Sequence, residues 1–196
     1  MSPLYRLDIE WFRAIHIGWH SPILDPFFAF LSYFGLGISE FFFLLALTVF
    51  KKARPYILPL IVALLLASPM SQFPKHWIPR DRPSQLLFAH PQEPIYYSAF
   101  PSGHTTAAFA IAFMFLFLTY GTKRARWAYL SLVIATLIGI SRIYRGVHRP
   151  SDVIAGVFDG CITAIVSYAI LVLTKRWPSF SEAESQADVA TEIKST

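Results

Sequence analysis

The stretch FFAFLSYFGLGISEFFFLLALTVF, residues 27–50, carries one ionisable side chain, Glu40. A second stretch, TTAAFAIAFMFLFLTY at 105–120, carries none. A bilayer core of about 30 Å is crossed by about 20 consecutive apolar residues in helical form. Comparable runs recur along the chain, which therefore reads as an all-α, multi-pass membrane bundle of about five spanning helices. The expected crossings are 26–50, 55–73, 102–120, 125–143 and 150–174. Several begin with a cap followed by proline, as at Asp25-Pro26.

The composition agrees. Of 196 residues, 55% are hydrophobic and only 15% charged, where a soluble domain carries about a quarter. Secreted disulfide scaffolds, soluble nucleic-acid binders and disordered chains are excluded as the main reading. The net charge of +5 comes from 17 basic and 12 acidic residues. The basic residues form short clusters between apolar runs, the pattern of topology signals and anion sites rather than of nucleic-acid binding. Cys161, the single cysteine, lies in an apolar run and reads as a small packing residue. Arg6, Asp8, Glu10 and Arg13 interrupt any signal-peptide core. One membrane domain, 1–178, is expected, followed by a polar, Ser/Glu/Ala-rich cytoplasmic tail at 179–196 that reads as disordered.

Residues 3–20 read as a helix lying on the membrane, with Ser2-Pro3 at its start. At about 100° per residue, Arg6, Glu10, Arg13, His16 and His20 gather on one side and Leu4, Leu7, Trp11, Phe12, Ile15 and Trp19 on the other. Asp8, Ile9 and Ile17 break the pattern, and an ordinary packing helix is the alternative.

Five crossings put the connections alternately on two faces. One face receives Lys51, Lys52, Arg54, Lys123, Arg124, Arg126, Lys175 and Arg176, plain flanking charge that the positive-inside rule places in the cytoplasm. The other face receives three patterned strings. These are Lys75-His76-Trp77-Ile78-Pro79-Arg80-Asp81-Arg82-Pro83, then Pro101-Ser102-Gly103-His104, then the run from Ser141 to Asp152 that includes Arg142, Tyr144, Arg145, His148 and Arg149. Far apart in sequence, they converge on one membrane surface, the outer one.

Their residue types suit a phosphate ester or anhydride. Arginine offers a planar fork of donors to phosphoryl oxygens, and lysine a point charge. With Pro101 as the first helical residue, the N–H groups of Ser102, Gly103 and His104 would be free to face an anion. His148 and Asp152 are four apart, so the carboxylate can hold one imidazole nitrogen and leave the other to attack. His104 is available as a general acid.

The strings K-x(6)-R-P, P-S-G-H and S-R-x(5)-H-x(3)-D are complete and in order, and they resemble the signature of the type 2 phosphatidic acid phosphatase superfamily. The resemblance covers about 75–152 and implies a metal-independent lipid phosphatase without a cofactor. It implies that His148 is the nucleophile and becomes a phosphohistidine, that Asp152 orients it, and that His104 protonates the leaving oxygen. Lys75, Arg82, Ser102, Gly103 and Arg142 would hold the phosphoryl oxygens. The partner is thus a membrane lipid phosphate, with no nucleic acid involved. The short chain, its amphipathic start and Ser21-Pro22-Ile23-Leu24-Asp25 look like bacterial undecaprenyl-diphosphate phosphatases of the bacitracin-resistance type. A phosphatase for phosphatidylglycerophosphate, phosphatidate or lipid A stays open, as does a lipid phosphotransferase. A non-enzymatic lipid binder would need no histidine pair.

Arg80, Asp81, Tyr144, Arg145 and Arg149 fall outside the signature, and Arg145 or Arg149 is a candidate for a second phosphate. Glu40 and Asp159 lie within apolar helices, where an ionisable group is costly and so a functional candidate. The segment 84–100, with Leu86, Leu87, Phe88, Tyr96 and Tyr97 between Pro91, Pro94 and the motifs, reads as a substrate gate or, alternatively, as a cover for helix ends.

Overall fold

A computed structural model describes residues 3–94 and 98–177. The expected tail at 179–196, and Tyr96 and Tyr97 of the expected gate, lie outside the described residues. Those residues fold into seven α-helices: α1 Pro3–His16, α2 Leu24–Phe34, α3 Gly37–Leu47, α4 Arg54–Trp77, α5 Gly103–Thr119, α6 Ala125–Tyr144 and α7 Pro150–Leu173. A 3-10 turn covers Pro83–Gln85, and no strand occurs among the described residues.

Helices α4, α6 and α7 are each long and apolar enough to cross a membrane. α5, with 17 residues, spans about 25 Å and reaches the lower end of the crossing length. The crossing expected at 26–50 is not one helix. It is α2 and α3, bent by 74°, and together they make the fourth long apolar unit. The break has a local cause. Leu36 is extended (φ −69°, ψ 131°), and Gly35 presses so closely on α6 that a β-carbon there would stand 2.4 Å from Ile138 Cγ2. α2 then packs Phe28 and Leu31 around Tyr144 of α6, while α3 packs Leu44 against Leu60, Ala63 and Leu64 of α4.

The centre of the bundle is the contact of α5 with α7. A β-carbon on Gly156 would meet Ser102 O at 2.9 Å and Thr105 Cβ at 2.8 Å, and one on Gly160 would meet Thr106 O at 2.8 Å. Two glycines four apart thus let the α5 backbone lie directly on α7, the small-residue packing of membrane helices. Of the hydroxyls buried along this seam, Thr163 donates to Asp159 O and Ser167 to Thr163 O on their own helix, while Thr106 lies within reach of both Ser102 O (3.2 Å) and, across the seam, Asp159 Oδ2 (3.0 Å).

The contact face of α1 differs from the expected division. Its buried residues are Asp8, Phe12 and His16, one stripe at four-residue spacing, which takes Asp8 that broke the amphipathic pattern, Phe12 from its apolar side and His16 from its polar side. Leu4, Leu7 and Trp11 stay exposed, as in a helix lying on a membrane surface. His90 N–H donates to His16 Nε2 (3.0 Å), which leaves Nδ1 as the donor to the Tyr144 carbonyl (2.7 Å). The ring lies over Gly146, whose φ is +74° and where a β-carbon would stand 2.7 Å away; glycine is required on both counts.

Candidate active site

The motif residues sit at helix ends on one side of the bundle. α4 runs four residues past its expected end and carries Lys75 in its last turn. Arg142 is in the last turn of α6, and Asp152 in the first turn of α7. Gly103 and His104 open α5, with Ser102 as N-cap; Pro101 lies outside the helix rather than beginning it. Ser102 N–H donates to the Asp152 carbonyl (3.0 Å), which ties the start of α5 to the start of α7. Arg82 donates from Nη1 to the Val147 carbonyl (3.1 Å), which braces the loop that presents His148.

A cavity of about 580 Å³ opens here, and Lys75, Arg82, Gly103, His104, Arg142 and His148 form its polar end. Leu36, Gly37, Leu64 and Ala107 form a wall that continues toward the α2–α3 bend. A β-carbon on Gly103 would stand 3.3 Å from Lys75 Nζ, so glycine keeps the first turn of α5 open beside that amine. Two expected members stand behind the wall. Ser102 and Asp152 are fully buried. The N–H of Ser102, expected from the sequence to be free for an anion, is instead given to the Asp152 carbonyl, and the Ser102 hydroxyl accepts from Thr105.

His148 Nδ1 faces Asp152 Oδ2 at 3.7 Å, an ion-pair distance rather than a hydrogen bond, and Nδ1 makes no hydrogen bond among the described residues. Burial, then the charges of Arg142, Arg82 and Lys75, hold the imidazole well below its ordinary pKa. It is therefore neutral near pH 7, the form with a lone pair to attack. Asp152 is fixed from its other sides: Oδ2 accepts the Arg149 N–H (2.9 Å), and Oδ1 accepts Arg80 Nη1 (2.7 Å).

Arg80, outside the signature, thus touches Asp152 directly. Three further residues carried no local signal for this role: Asp8 on Arg80 (2.9 Å), Ser32 on Arg142, and Glu93. Glu93 receives Arg142 Nη2 at 2.8 Å, Arg145 Nε at 2.5 Å and the Ser32 hydroxyl at 2.6 Å. Burial alone would raise its pKa, but Arg142, Ser32 and Arg145 outweigh it and hold the carboxyl at about 2. One clue existed: Glu93 is the sole acidic residue in 84–100.

That segment divides. Leu87 is fully exposed, whereas Phe88 rests on α1 beside Phe12, with the Arg13 guanidinium 5.5 Å from its ring. Arg145 is committed to Glu93 and Gln92 O, and Arg149 lies over the Tyr5 ring at 5.3 Å; neither lines the cavity. Tyr144 is buried and donates to Asp25 (2.5 Å), while Asp81 is exposed. Asp159 accepts from Thr106 (3.0 Å). Glu40 is buried on the wall of a separate apolar cavity of about 120 Å³, and its Oε2 has no hydrogen-bond partner among the described residues. Among the described residues, no three His, Cys, Asp or Glu side chains gather as a metal site.

The model of the PAP2 superfamily matches residues 34–176. The chain is 30% identical over 172 residues to the bacitracin transport permease protein BcrC of Bacillus licheniformis, covering 82% of this chain and 78% of that one. It is 28% identical over 166 residues to an undecaprenyl-diphosphatase of Sulfolobus acidocaldarius, covering 83% and 78%. Among solved structures, the crystal structure of LpxE from Aquifex aeolicus superimposes with a TM-score of 0.71 at 35% identity, over 83% of this chain and 95% of that one.

Proposed function

The chain belongs to the PAP2 superfamily of membrane lipid phosphatases, and from that premise we propose that it removes the terminal phosphate of undecaprenyl diphosphate at the outer face of the membrane. Its shape supports a lipid substrate. The cavity joins a cationic end, where Lys75, Arg82 and Arg142 meet His104 and His148, to an apolar wall of Leu36, Leu64 and Ala107. A phosphate fits the first part and an alkyl chain the second.

In the proposed reaction, the neutral imidazole of His148 attacks phosphorus. The N–P bond forms as the bond from phosphorus to the lipid-phosphate oxygen breaks, and His104 gives that oxygen a proton. Asp152 stabilises the positive charge that the ring acquires. Lys75, Arg82, Arg142 and the first turn of α5 at Gly103 hold the phosphoryl oxygens, and Ser102 braces that turn from behind. A water deprotonated by His104 then attacks the phosphohistidine, releasing inorganic phosphate and restoring both histidines. The outer location rests on the Lys/Arg clusters 51–54, 123–126 and 175–176 at the opposite helix ends.

The undecaprenyl assignment draws on the similarity to the undecaprenyl-diphosphatase of Sulfolobus acidocaldarius. Purified protein in detergent is given undecaprenyl diphosphate, phosphatidylglycerophosphate, phosphatidate and lipid A, and phosphate release is measured beside His148→Ala. The expected outcome is highest kcat/KM on undecaprenyl diphosphate and no release by the variant. Preference for another lipid would replace the substrate. Undiminished release by His148→Ala would overturn the mechanism.

A further inference from the structure

The first turn of α7 has an unusual cap. Arg149 at the N-cap offers no side-chain cap and Pro150 has no N–H, so the exposed donor is Ser151 N–H. It donates to Asp8 Oδ1 (2.9 Å), and the Ser151 hydroxyl donates to Asp8 Oδ2 (2.7 Å). A carboxylate from α1 therefore adds to the local cap, in which Asp152 accepts the Arg149 N–H, and it meets the positive end of the helix.

The same Asp8 Oδ2 accepts Arg80 Nη2 (2.9 Å), while Arg80 Nη1 donates to Asp152 Oδ1 and Ser151 Oγ, both at 2.7 Å. One guanidinium thus bridges two carboxylates, of which Asp152 is fully buried and Asp8 is 8% exposed. Arg80 is itself fixed: its N–H donates to Ser98 Oγ, its carbonyl accepts from Ala99 N–H, both at 2.9 Å, and its guanidinium lies 5.8 Å from the Phe100 ring.

We propose that Asp8 is a positioning residue for the reaction, holding Asp152 in register with His148 through Arg80 and the capped turn of α7. This rests on the reading of His148 as the nucleophile. By sharing Arg80, Asp8 keeps that cation from drawing Asp152 away from the imidazole, in a site with little solvent to screen the change. Asp8 does not line the cavity, so in this role it acts on the chemical step and not on the holding of substrate.

The test uses full-length protein in detergent, with a soluble aryl phosphate and a lipid phosphate as substrates. Asp8→Asn keeps the shape and removes the charge. Its kcat should fall roughly ten- to hundred-fold on both substrates, the scale of one charge-assisted hydrogen bond, with KM within about twofold. Asp8→Glu should recover much of the loss. An unchanged kcat, or a loss confined to the lipid substrate, overturns the inference; the second result would make α1 a membrane-docking element alone. If Asp8→Asn does not yield a monodisperse folded protein, Arg80→Lys carries the test. Lysine keeps the charge but cannot bridge both carboxylates, so the same fall in kcat is expected, and wild-type kcat refutes the role. His148→Ala is run beside these variants. Full activity there would bring down the reading of the site as a whole, whereas an inactive His148→Ala beside a fully active Asp8→Asn would bring down only the role of Asp8.

Discussion

Glu93→Gln tests the strongest charge cluster at the rim of the cavity. Glutamine keeps the shape, and its carbonyl oxygen can still accept from Ser32, Arg142 Nη1 and Arg145 where Oε1 did, but its amide nitrogen meets Arg142 Nη2 where Oε2 accepted, so the change removes the charge and that one contact. The carboxyl is held at about 2 against an ordinary 4.5, which at about 1.4 kcal/mol per tenfold is about 3 kcal/mol in favour of the folded protein. The side chain is 16% exposed, so solvent screening takes little from this figure. Because the folded pKa is depressed, the contribution is complete above pH 4.5 and is lost as pH falls from there toward 2. The variant lacks it at every pH. Unfolding free energies by denaturant titration in mixed micelles should therefore differ by about 3 kcal/mol at pH 7, and the gap should narrow as the pH is lowered below 4.5. A gap under about 1 kcal/mol at pH 7, or one that does not narrow in acid, would refute the argument.

Loss of general-acid help costs roughly 10²–10⁴-fold, so a nitrophenyl phosphate, with its good leaving group, should rescue His104→Ala far more than His148→Ala. Equal rescue would mean the two roles are misassigned. Burial holds the His16 imidazole below its ordinary 6.5, and its Nε2 must stay unprotonated to accept from His90. The latch on α1 is therefore complete above about pH 6.5 and weakens below it. Thermal stability of the wild type should fall more steeply as the pH is lowered below about 6.5 than that of His16→Asn, and parallel curves would contradict this. EDTA should leave most phosphatase activity intact, while vanadate should inhibit as a five-coordinate phosphoryl mimic at His148. Activity lost to chelation and restored by magnesium would contradict the phosphohistidine route.

The three motif strings and their convergence were readable because each sits at the end of an apolar run, and hydropathy alone assigns such ends to faces. The break at Gly35-Leu36-Gly37 was not, since an apolar run keeps its hydropathy whether straight or bent, and the bend depends on how closely Gly35 approaches Ile138. The docking stripe of α1 was misread for a related reason: Asp8 looked like an error in an amphipathic pattern until its partners, Arg80 and Ser151, came from elsewhere in the chain. Glu93 likewise pairs with residues 49 and 52 positions away. Local periodicity reports which face of a helix is apolar, but it carries no information about which distant cation a carboxylate will meet.

The cap that Asp8 places on α7 also sets an order of events in the life of the chain. Asp8 is made 143 residues before Ser151, an interval of roughly 7–30 s at ordinary rates of synthesis. During that time the ribosome has delivered the first helix and its carboxylate but not the turn they complete. His148 and Asp152, to which we assign the covalent step, are therefore absent from every chain shorter than 152 residues, and the cap that steadies them forms only once α7 has been made and α1 has docked against it.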